Sequence, residues 1–64
     1  MKVREIIRVL REDGWRQVRA RGSHRIFSHA EKPGIVVVPG QMGDDVPLGT
    51  LRSMLKQAGL EHTI

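Results

Sequence analysis

The chain contains no cysteine. Disulfides, thiolate metal sites and cysteine nucleophiles are thereby excluded together, which fits a reducing compartment such as the cytoplasm. No apolar run approaches the roughly 18 residues that read as a membrane span. Residues 1–10 interleave Lys2, Arg4, Glu5 and Arg8 with their apolar side chains, unlike the continuous apolar stretch of a signal peptide. Metal-ligand spacing is missing too: His24, His29 and His62 stand apart, and no carboxylate joins them in a recognised motif. His29-Ala30-Glu31 has the first half of a zinc deaminase signature, but the cysteine half cannot exist here. No metal and no other cofactor is expected. With 64 residues the chain is expected to form a single domain over residues 1–64. A domain of that size buries only about 60% of the surface its unfolded chain exposes, so a surface site is more natural than a deep pocket.

Charge is present, and it is uneven. Eleven Lys and Arg stand against seven Asp and Glu, a formal charge of +4. Residues 1–25 hold eight basic side chains and three acidic ones, whereas residues 26–64 hold three and four. Seven of those first eight are Arg (Arg4, Arg8, Arg11, Arg16, Arg19, Arg21 and Arg25), whose forked guanidinium suits phosphate oxygens. A basic surface of this kind attracts polyanions.

Val3, Ile6, Ile7 and Leu10 fall at i, i+3, i+4 and i+7. This spacing predicts a helix over residues 2–13, ended by Gly14. Residues 15–21 and 24–29 read as strands around a Gly22-Ser23 turn. Ile35-Val36-Val37-Val38 is β-branched throughout and is the clearest strand. Leu51, Met54, Leu55 and Ala58 predict a second helix over residues 48–58, with Gly59 as its stop. The order α-β-β-β-α is an α+β class. Short connections favour a three-stranded antiparallel meander with both helices packed on one face, which leaves the other face open.

His24 is the first candidate for chemistry. A solvent-exposed imidazole can take and give a proton close to neutral pH. If Phe27 points into the core, alternation sends His24 and Ile26 to the open face; Ile26 is also apolar, so the pattern alone leaves the buried face undecided. Gly22 and Ser23 put His24 beside a tight turn. Arg19, Arg21 and Arg25 are near enough in sequence to hold phosphates. His29, five residues away, belongs to the opposite face and is expected at a solvated strand end. Gly40-Gln41-Met42-Gly43 matches the GxxG of RNA-binding KH loops, but it follows a strand and is read as a strand-to-helix connection. Asp44-Asp45 is read as a turn or cap pair. Trp15 is read as a core anchor rather than a base-stacking residue.

Four segments, taken in order, are more specific than any of these alone: Gly14-Trp15; Gly22-Ser23-His24-Arg25-Ile26-Phe27; Val37-Val38-Pro39; and Gly49-Thr50-Leu51-Arg52-Ser53-Met54-Leu55-Lys56-Gln57-Ala58-Gly59. With them the chain resembles the HicA (YcfA-like) toxins, small ribonuclease partners in toxin–antitoxin pairs. The resemblance spans nearly the whole chain. It implies a fold like the double-stranded-RNA-binding domain and a metal-independent endoribonuclease that cleaves mRNA. It implies that His24 is catalytic. From their nearness to His24 in sequence, Arg19, Arg21, Ser23 and Arg25 are the expected RNA contacts. The resemblance also implies a HicB-like antitoxin that covers the site, so that the chain is a monomer when free and part of a hetero-oligomer when bound. Many family members carry a basic residue shortly after the Val-Pro; residues 40–45 carry none and hold two acids. Two other readings stay open: an RNA-binding module of the same fold that does not cut, and a charged domain that docks on a protein.

Overall fold

The structure, a computed structural model, describes residues 1–63; the last residue of the expected domain lies outside them. Helix α1 spans Val3–Glu12, strands β1, β2 and β3 span Trp15–Arg21, His24–His29 and Ile35–Val38, and helix α2 spans Leu48–Gln57. A short 3₁₀ turn, Glu61–Thr63, follows and carries His62. The order is the expected α-β-β-β-α. The strands form one antiparallel sheet in the order β1-β2-β3, with β2 central.

Both helices lie on the same side of this sheet. Val3, Ile6, Ile7 and Leu10 of α1 and Leu51, Met54 and Leu55 of α2 are buried in one cluster with Ala58 and Leu60. From the sheet, Trp15, Phe27, Val36 and Val38 enter the same cluster. Helix α1 packs against β1 and α2 against β3. Phe27 is fully buried, whereas Ile26 is only partly so. That settles the question left by the pattern: Phe27 marks the covered face, and His24, Ile26 and Ser28 belong to the bare one.

The loop between β3 and α2 closes the start of α1. A helix begins with N–H groups that have no partner within it. Here the backbone N–H of Val3 donates to the carbonyl of Asp44 at 3.0 Å, and that of Arg4 to the carbonyl of Met42 at 3.1 Å. The Glu5 carboxylate accepts from the Lys2 backbone N–H at 2.7 Å. The Asp44 side chain accepts from the Gln41 backbone N–H, and Asp45 pairs with the Lys2 ammonium at 3.1 Å. The GxxG segment is therefore part of a capping loop joining a strand to a helix, and the acidic pair holds that loop's shape.

Candidate functional site

The bare sheet face begins at the β1–β2 hairpin. Arg21 and His24 are cross-strand partners that close a two-residue turn made of Gly22 and Ser23. Gly22 has a φ of 60°, and glycine at the first central position is the signature of a type II′ turn, whose twist matches the flanking strands. The turn projects into solvent, and Arg21, Ser23 and His24 are all exposed.

A β-bulge then decides which arginines stand beside His24. Gln17 pairs with Phe27, but the next pair is Arg19 with Ile26, so Val18 has no partner on β2. Such an extra residue reverses the in–out alternation of the strand. Trp15 and Gln17 share the covered-face register with His29 and Phe27, while Arg19 and Arg21 share the bare-face register with Ile26 and His24. Strict alternation from the buried Trp15 would have turned both arginines toward the helices.

Arg25 is not brought into this group. It pairs with Ala20 and Val38 on the other face. Its Nη1 donates to the carbonyl of Gly40 at 2.7 Å, holding the capping loop. The structure thus gathers His24, Arg19 and Arg21, with Ser23 in the adjoining turn, and assigns Arg25 a structural contact.

His29 is placed on the face expected of it, but it is not solvated: its side chain is only 7% exposed. Its Nε2–H donates to the carbonyl of Asp13 at 2.6 Å. Its Nδ1 accepts from the backbone N–H groups of Glu31 and Lys32 at 3.0 and 3.2 Å. The ring meets Trp15 edge-on, with centroids 5.2 Å apart. Lys32 donates to the Asp13 carboxylate at 2.6 Å and to the carbonyl of Ala58, just past α2, at 2.9 Å. The hydrogen bond from Lys32 holds the Asp13 carboxyl below the usual aspartate range, against the opposing effect of burial. This knot ties the end of α1, the end of β2 and the end of α2 together, and it lies on the side of the sheet away from His24.

Among the described residues no three His, Asp or Glu side chains gather as a metal site, and no helix is long and apolar enough to cross a membrane. What remains is a small α-β-β-β-α domain with one bare, basic sheet face and an exposed histidine at its rim.

Comparison with known proteins places this class. The family model described as the HicA toxin of bacterial toxin–antitoxin matches residues 3–60, and the chain belongs to that family. No curated protein matches it.

Proposed function

We infer that this chain is the toxin of a type II toxin–antitoxin pair, an endoribonuclease that cleaves mRNA without a metal ion and uses His24 as its catalytic residue. The observation that carries the reading is the placement of His24: it is open to solvent on the bare face, with Arg21 as its cross-strand partner and Arg19 two pairs further along on the same face. Family membership adds the toxin role and the antitoxin partner.

The RNA supplies its own nucleophile. The His24 imidazole accepts the 2′-hydroxyl proton, and the 2′-oxygen attacks the adjacent phosphorus. The bond to the 5′-oxygen breaks as that oxygen gains a proton, leaving a 2′,3′-cyclic phosphate and a 5′-hydroxyl end. Arg21 is the cation nearest in the register to stabilise the added negative charge on phosphate, as preorganised positive groups do, with Arg19 next in the row. The leaving oxygen takes its proton from water, or from His24 acting as the acid. Because the nucleophile belongs to the substrate, no metal-activated water is needed. A HicB-like antitoxin covers the same face in the hetero-oligomer, and an acidic surface on it suits the arginines. The free chain is a monomer in a cytoplasmic setting.

One observation favours the non-cutting RNA-binding module: no hydrogen bond orients the His24 ring among the described residues. A single assay separates the readings. Purified protein and its His24→Ala variant are incubated with labelled mRNA in EDTA, beside a deoxy-substituted strand. Cutting of RNA alone, by the wild type alone, supports the nuclease. Equal salt-sensitive binding by both without cutting supports the module, and cleavage of the deoxy strand would exclude the 2′-hydroxyl route.

A further inference from the structure

The bulge at Val18 does more than place two arginines beside His24. In a regular strand every second residue shares a face, so Arg16 would stand opposite Arg19 and Arg21. With Val18 unpaired, Arg16 pairs with Ser28, Arg19 with Ile26 and Arg21 with His24. The three β2 partners alternate along one face, and the three arginines therefore form a single row along the outer strand. Neighbouring members are two ladder positions apart, about 7 Å, which is on the order of the separation of adjacent phosphates in an extended RNA strand. All three are exposed, and none makes a side-chain hydrogen bond or ion pair among the described residues. At its far end the row opens on a hollow of about 440 Å³ that Arg11 and Arg16 line together.

The rest of the face differs in character. Ile26 pairs with Val37 and Ser28 with Ile35, so an aliphatic strip lies beside the row. Ile35 is 54% exposed. Trp15 and Phe27 are buried on the other side, so neither offers a stacking platform on this face.

We propose that Arg16, Arg19 and Arg21 are a track for the backbone of one unpaired RNA strand. Arg21, opposite His24, holds the phosphate at the cut, and Arg19 and Arg16 hold the next two phosphates to one side, while the bases turn over Ile26, Val37 and Ile35. The inference rests on the nuclease reading and names its substrate as single-stranded RNA reaching to the second phosphate beyond the cut on that side. Bases already paired in a duplex could not lie on the aliphatic strip. An acidic protein surface would meet the same charges, but it has no need of their even spacing.

RNA oligonucleotides with 2′-O-methyl groups cannot react by the 2′-hydroxyl route, so they report binding alone. A set in which one methylphosphonate at a time neutralises successive phosphates is titrated against the wild type and against Arg16→Gln, Arg19→Gln and Arg21→Gln. The expected result is that three adjacent positions each weaken wild-type binding several-fold, and that each variant is indifferent to one of the three. The slope of log affinity against log salt should shrink by about 0.7 per arginine lost, and a duplex of equal length should bind at least tenfold more weakly. Equal sensitivity at every phosphate, wild-type affinity in the variants, or no binding of these strands at all would overturn the track. Cleavage of ordinary RNA is scored separately. The stepped pattern in a protein that cuts nothing removes the nuclease reading and keeps the track, whereas unchanged KM and kcat in Arg16→Gln removes the track and keeps the nuclease.

Discussion

The ring of His29 occupies the space a side chain at Gly14 would need: a β-carbon built there lies 2.8 Å from His29 Nε2. Gly14 also has a φ of 105°, a conformation in which side-chain-bearing residues are strained. Both constraints act on one residue because the chain must turn sharply out of α1 and let His29 reach the carbonyl of Asp13. Gly14→Ala is therefore expected to destabilise the domain by about 1–3 kcal/mol. In a domain of this size that lowers Tm by very roughly 4–24 °C. Thermal unfolding followed by circular dichroism measures it, and an unchanged Tm would mean the knot is looser than described.

Asp13 gives the fold a predictable acid sensitivity. Its folded-state pKa lies below the ordinary value because Lys32 donates to it. Between the two values the unfolded chain binds the extra proton, so stability rises with pH there. The contribution is complete above the unfolded pKa of about 4 and is lost as pH falls through the lower, folded value. Urea midpoints recorded from pH 6 down to pH 2 should fall in the wild type, and Asp13→Asn should flatten the acid limb. Parallel curves for the two proteins would contradict the assignment.

Arg25 and Arg21 stand four residues apart and should fail in different ways. Arg25→Ala removes the donor to Gly40. Loss of a hydrogen bond from a charged group costs about 1.5–3 kcal/mol, and amide exchange in the capping loop should quicken. Arg21→Ala leaves Tm within a few degrees, because exposed substitutions usually change stability by no more than about 0.5 kcal/mol, and instead weakens RNA binding. Exchange mass spectrometry and a salt-series binding assay distinguish the two outcomes.

His24→Ala should lower the rate of RNA cleavage by about 10²–10⁴-fold, the usual scale of general base action. Its Tm should match the wild type, since the side chain is exposed. A cleavage time course beside a melting curve checks both halves at once. Full activity in this variant would move the chemistry to another residue.

Much of the frame was legible from residue spacing. Val3, Ile6, Ile7 and Leu10 marked the buried side of α1, and the unbroken β-branched run marked β3, because both signals are periodic and local. The facing of His24 was not decided, since Ile26 and Phe27 are adjacent apolar residues and only tertiary packing shows which is covered. The bulge at Val18 left no trace in the pattern: Trp15-Arg16-Gln17-Val18-Arg19 carries no glycine to announce it. Arg25 looked like a member of the phosphate group because it is next to His24 in sequence, which is the very relation that sends it to the other face of a strand. The inward setting of His29 depends on the carbonyl of Asp13 and two amides of the following turn, partners that composition cannot reveal. Family likeness pointed to His24 on separate grounds, without knowledge of the sheet.

The capping loop has a consequence for how the chain is made. The first turn of α1 is closed by carbonyls of Met42 and Asp44, and its apolar face is completed by Leu55 and Leu60. A ribosome delivers those residues after the helix itself. Helix α1 must wait, uncapped and half-covered, until residues 42–60 have emerged, so the bare arginine face cannot take its final shape before then. Synthesis halted before about the second helix should release only unstructured, inactive polypeptide.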